Sequence, residues 1–238
     1  MNWKGPVTGG LAGVILTGNP VGIVIGAAAG YVVGEKLINK KLSFFSSQKE
    51  MDAVSYLISG LFISSGKRFN WNASVNDHLI RYWKFSPNEI KSLKQTIRKK
   101  FDSTNTDIIS DALKYLSATI EHSEKREKLA AMMCLMANEM MPISKSSRSL
   151  LVKVFQWLEL PENSIERYLN KFSAKTLAHY RTLQSSPFQK YEDIKKGYHK
   201  MVKELHPDIS TPEEQAKNNR ILKTVNESWN IIKRIHLS

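Results

Sequence analysis

His206-Pro207-Asp208 sets an imidazole and a carboxylate on either side of a proline. Pro207 pushes His206 out of the α region and lacks the N–H that a continuing helix needs. The tripeptide therefore ends a helix and leaves both polar groups on a turn. Other chemistry finds few residues to work with. There is no G-x-S-x-G elbow and no Gly-rich strand-to-helix phosphate loop. The six histidines show neither zinc-finger spacing nor HExxH. Cys134 is the sole cysteine and lies in an apolar run, which predicts a buried core thiol and excludes an internal disulfide. No metal, no cofactor and no enzyme activity is expected.

The elements flanking the turn would display it. Ile194, Tyr198, Met201, Val202 and Leu205 recur as one apolar stripe at helical period. Lys196, Lys200 and Lys203 fall opposite the stripe, with Lys195 and His199 on its flank. Ser186-Pro187 reads as the start of this segment. Thr211-Pro212-Glu213-Glu214 reads as a capped start of the next helix, with Thr at N-cap, Pro at N1 and Glu at N3. Ile221, Leu222, Val225, Trp229 and Ile232 form a second stripe. Two antiparallel helices can zip the stripes together and expose the tripeptide at the tip. Gly197 inside the first helix costs about 1 kcal/mol relative to Ala, and close helix approach is the compensation expected.

On these residues the segment resembles a J-domain, the module by which DnaJ-type co-chaperones engage DnaK-type chaperones. Ala178-His179-Tyr180-Arg181-Thr182-Leu183 matches the family's short first helix, with Tyr180 and Leu183 keeping its aromatic and leucine character. Glu192-Asp193-Ile194-Lys195-Lys196-Gly197-Tyr198-His199-Lys200 follows its second helix up to His206-Pro207-Asp208. Val225-Asn226-Glu227-Ser228-Trp229 matches the third helix, with Trp229 where Tyr is usual; Gln184-Ser185 replaces the usual Gly-Val. The resemblance implies that His206, Pro207, Asp208, Lys195, Lys196, Tyr198, His199, Lys200 and Lys203 bind a DnaK-type chaperone. It further implies that the protein stimulates the partner's ATPase without hydrolysing ATP itself.

Over the whole chain, helical periods are everywhere and no strand-like alternation occurs, so the fold class expected is all-α. A formal net charge of +13 over 238 residues implies an acidic partner. The cations are scattered along the helices, so nucleic acid is not expected to be that partner. Residues 5–34 carry no charge, long enough to cross a bilayer. Gly18, Gly22, Gly26, Gly30 and Gly34 repeat every four residues along one helix face, a ridge suited to helix packing in lipid and to a homodimer. Asn19-Pro20 either kinks the span or splits it into a re-entrant hairpin. Lys36, Lys40 and Lys41 follow it, so the bulk of the chain is expected on the cytoplasmic side of a bacterial inner membrane, held by a single pass.

The expected organisation is an anchor over 1–35, a basic linker over 36–48, a helical domain over 49–172 and the J-like module over 173–238. In the middle domain, helices are expected over 51–64, 86–101, 107–120, 124–141 and 147–158, the second opened by the capping box Ser86-Pro87-Asn88-Glu89. Trp83-Lys84-Phe85-Ser86-Pro87 finds an echo in Trp157-Leu158-Glu159-Leu160-Pro161, which suggests a pseudo-twofold bundle. Met132, Met133, Met136, Met140 and Met141 are expected in the core, with an adaptable peptide-binding groove as the alternative, and the basic run 94–100 is expected to be a solvated face, with an anionic-lipid contact beside the anchor as the alternative. The region resembles a TerB-type domain, found between anchor and J-domain in DjlA-like proteins. That family's acidic loops read Ser64-Ser65-Gly66 and Glu139-Met140-Met141 here, with Ser147 at the later Glu, so metal binding is not carried over. A stress-response scaffold acting through this bundle, with a vestigial J-like end, is the alternative reading.

Overall fold

Six helices of this chain begin where a short polar side chain caps them. The structure is a computed structural model. It describes residues 44–67, 69, 72–206 and 212–237, with 212–214 as backbone alone. Ten α-helices run through the described residues: α1 Gln48–Ser64, α2 Ala73–Tyr82, α3 Pro87–Lys100, α4 Thr106–Thr119, α5 Ser123–Asn138, α6 Lys145–Trp157, α7 Ile165–Lys171, α8 Ala174–Thr182, α9 Tyr191–Glu204 and α10 Pro212–Leu237. No strand occurs among the described residues, as the periodicity anticipates. Ser47, Asn72, Ser86, Asn105, Ser144 and Ser173 each accept the N–H three residues on, satisfying one orphan donor of the first turn. At Ser86 the capping box closes in both directions, because the Glu89 carboxylate accepts the Ser86 N–H at 2.7 Å. Helices α2 and α7 have no counterpart among the expected segments; both are short, so few turns of periodicity mark them.

Four helix ends turn through left-handed backbone, at Gly66, Lys84, Glu159 and Gln184. After α8, Gln184 N–H bonds the Arg181 carbonyl and Ser185 N–H bonds the Tyr180 carbonyl, the paired reverse bonds that close a helix. Glu159 and Leu160 make the same pair after α6. The echo between Trp83 and Trp157 is thus a likeness of helix ends, displaced by one residue: Lys84 corresponds to Glu159 in backbone.

Two helices carry the core. From Leu129 to Ala137 every residue of α5 is buried, so the helix is apolar all round. Helix α1 packs against α3, α4, α5 and α6. It comes so close to α4 and α6 at Gly60 that an added Cβ would sit 2.7 Å from Ile109 Cδ1. Met132, Met133, Met136 and Met140 lie in the core as expected, whereas Met141 is 59% exposed, because α5 ends at Asn138 and the chain turns outward. Cys134 is fully buried, and burial pushes its thiol pKa up, away from nucleophilic use. Among the described residues no helix is long and apolar enough to cross a membrane. The glycines of the expected anchor, Gly18, Gly22, Gly26, Gly30 and Gly34, lie outside the described residues.

Residues Ser47–Ser238 cluster as one compact unit. Buried contacts cross the division expected at 172/173. Tyr82 Oη donates to the Leu177 carbonyl at 3.0 Å. Trp83, Phe172 and Phe188 pack their rings together with centroids 5.2 to 5.7 Å apart, and Lys128 Nζ lies over the Phe188 ring. Trp83 Nε1 donates to the Lys128 carbonyl, so its one polar atom is satisfied inside this cluster.

Candidate functional site

Helix α9 spans 14 residues, about 21 Å. Its start is four residues later than Ser186-Pro187 suggests. Those residues form the preceding turn, in which Gln189 Oε1 accepts the Ser186 N–H and Ser186 Oγ accepts the Phe188 N–H. Lys190 occupies the N-cap without a side-chain bond. Glu192 and Asp193 stand in the first turn and Lys203 in the last, each sign matched to the helix dipole.

The two apolar stripes meet as the sequence requires. Ile194, Val225, Trp229 and Ile232 are buried. Tyr198 stacks on Trp229 with centroids 4.7 Å apart, and Tyr191 stacks on the same indole at 5.6 Å. Tyr198 Oη also donates to Asn226 Oδ1 at 3.0 Å. These contacts run the helices antiparallel and fix their register. Tyr198 is therefore spent on the hairpin's interior, apart from the other side chains expected to meet a partner, and acts by positioning α9.

Lys195, Lys196, His199, Lys200 and Lys203 are all exposed along the side of α9 away from α10. Lys196 lies 3.9 Å from Asp193 and Lys200 3.7 Å from Glu204, pairs so exposed that each is worth a few tenths of a kcal/mol at most. Lys195 and Lys203 have no ion-pair partner among the described residues. Two of the four lysines of this face are thus left without an acidic partner. His206 is exposed just past the helix end, where its N–H reaches the Lys203 carbonyl at 3.4 Å. Pro207 and Asp208 lie outside the described residues. Gly197 does not serve close approach: a Cβ there would meet nothing within 4 Å. The compensation expected for it is absent.

The opposite end of the hairpin is held by groups that the stripes do not include. Tyr180 is fully buried and its Oη lies 2.9 Å from His236 Nε2. His236 also packs against Tyr191. Burial, with Lys171 and Arg167 nearby, pushes the His236 pKa down to about 4. His179 Nδ1 lies 3.1 Å from Ser228 Oγ, tying α8 to α10. Tyr191 stands seven residues before Tyr198, and His236 seven after Trp229. Carrying each stripe two turns further finds both.

A cleft of about 370 Å³ lies elsewhere, walled by Asn138, Glu139, Met141, Arg148, Glu166 and Ser173 among others. The Arg148–Glu166 ion pair occupies its polar side. Near it the two loops of the TerB resemblance come together: Lys67 Nζ donates to the Met141 carbonyl and Ser144 Oγ to the Ser64 carbonyl. Glu139 is the one acid of those loops, and burial raises its pKa. No cluster of three or more His, Cys, Asp or Glu suited to a metal ion occurs among the described residues.

A short helix, a basic helix ending in an exposed histidine and an antiparallel third helix define the class of this module. Residues 178–236 match the DnaJ domain family. The chain carries a C-terminal J-domain, the described residues being all-α, and a J-domain implies a DnaK-type partner; such co-chaperones are not enzymes. No curated protein and no solved structure matches the chain.

Proposed function

We propose that this protein is a membrane-anchored J-domain co-chaperone of the DjlA-like kind, held in a bacterial inner membrane with its helical bundle and J-domain on the cytoplasmic side. It recruits a DnaK-type chaperone there and stimulates its ATPase through His206-Pro207-Asp208. The observation that carries the reading is the exposed His206 continuing a basic face that faces away from α10. The cations of α9 steer that face onto an acidic surface, a salt-sensitive step. Asp208 then pairs with a guanidinium of the partner, since carboxylate and guanidinium match bidentately. Stimulation follows if this contact is stronger in the hydrolysing state of the partner than in its resting state. The TerB-like assignment of residues 49–172 belongs to the same reading and rests on sequence pattern.

ATPase assays of a DnaK-type chaperone with the full chain test it. His206→Gln and Asp208→Asn each abolish stimulation while helicity is unchanged. Full stimulation by both variants rejects the mechanism and leaves the bundle, as a scaffold, to account for function.

A further inference from the structure

Helix α3 carries an exposed cationic face, with Asp102 just past its last turn. Ile90, Leu93 and Ile97 are buried, which turns Lys91, Arg98 and Lys99 to solvent with Lys94 half-buried beside them. The only acid of α3 is Glu89, and its carboxylate is committed to the N-cap through Ser86 N–H and Oγ, each at 2.7 Å. Several other cations of the bundle are matched with acids, Lys125 with Glu50 at 2.5 Å, Lys128 with Glu124 at 2.6 Å and Arg126 with Glu159, and at the end of α3 Lys100 pairs with Asp52 at 3.2 Å. Lys91, Arg98 and Lys99 have no ion-pair partner among the described residues. Like charges three or four residues apart repel on a helix, as Lys91, Lys94 and Arg98 are placed to do here. Partial burial and the Arg98 charge lower the Lys94 pKa, a mark of that crowding. A surface kept this way against its own stability is suited to an external anion.

The geometry favours a lipid surface. The Lys100–Asp52 pair, with Lys100 also over the Tyr56 ring, sets the cationic end of α3 beside the first turns of α1, where the chain enters this unit. The uncharged residues 5–34 and then Lys36, Lys40 and Lys41 precede that entry in the chain. Single-stranded nucleic acid is favoured by aromatic rings interleaved with cations, and α3 contains no aromatic residue. We propose that Lys91, Lys94, Arg98 and Lys99 rest on anionic phospholipid headgroups and so fix how the bundle stands on the membrane. This deepens the membrane-anchored reading and rests on it.

Gln95 is exposed among these cations, and Cys134 is fully buried, so a Gln95→Cys variant of the full chain takes a thiol-reactive, polarity-sensitive dye at one place. The labelled protein is reconstituted into vesicles of phosphatidylcholine, with and without phosphatidylglycerol, and flotation is scored separately. Each basic residue beside an anionic surface strengthens contact about fivefold. The dye emission is expected to shift to the blue in the anionic vesicles alone. High salt, or Lys91→Gln, Lys94→Gln and Arg98→Gln together, is expected to abolish the shift. Equal emission in both vesicle types, with the protein floating in both, overturns the α3 contact and leaves the anchor intact. Failure to float with either vesicle overturns the anchor itself and this proposal with it. A shift given by RNA or by an acidic polypeptide without lipid also overturns it.

Discussion

Single residues here separate into those that meet solvent and those that hold them there. His206 and the lysines of α9 lie outside the core, whereas Tyr198, two residues from both Lys196 and Lys200 in the same helix, is stacked against Trp229 and bonded to Asn226. Gly197 shows the same division in reverse. It occupies a helix interior with open space where a Cβ would go, so its flexibility is a cost without a packing benefit. Gly197→Ala is expected to stabilise the protein by about 0.5–1 kcal/mol in chemical denaturation. A destabilised variant would show that this position is constrained by something other than backbone entropy.

Among elements, the J-domain is built into the bundle at its base. Tyr180 and Leu177 of α8 are buried, Tyr82 of α2 bonds the Leu177 carbonyl, and Phe188 from the α8–α9 turn lies against Trp83 and Phe172. Helix α7 touches both α8 and α10. Further along α9, Tyr198 meets Trp229 and Asn226 of α10. Trp83 is 4% exposed and its indole bridges the two parts, so Trp83→Ala is expected to cost about 3–5 kcal/mol. Probes placed in the bundle and in the hairpin should report that loss in a single shared unfolding transition. A hairpin that keeps its original midpoint while the bundle weakens would show the two parts to be independent.

For the molecule as a whole, pH is the lever that reaches several of these contacts together. Burial lowers the pKa of His78 and of His179, with Arg181 and Lys175 adding to it, and His236 is pushed down to about 4. In the unfolded chain all three return to about 6.5. Between that value and the folded values the unfolded chain binds more protons, so stability is fully present above about pH 6.5 and is lost as pH falls through the window. Glu139, whose pKa burial raises, opposes this in its lower part. Urea midpoints measured at pH 7 and pH 5 are expected to drop with acidification, and His236→Gln is expected to flatten the dependence. Equal midpoints at the two pH values would remove the histidines from the account of stability.

The sequence alone determined whatever depends on neighbours along the chain. The stripe from Ile194 to Leu205, its basic counter-face and the proline break are periodic or local, so the helix, its exposed side and the exposed His206 were all legible. The capping box at Ser86 was legible for the same reason. Tertiary structure decided what depends on residues distant in sequence. That Gly60 admits Ile109, that Gly197 admits nothing, that Tyr198 stacks on Trp229 and that Trp83 receives Phe188 are facts of contact between segments apart in the chain. No local pattern encodes them, because a residue's own period states which side it faces and leaves open what it meets there.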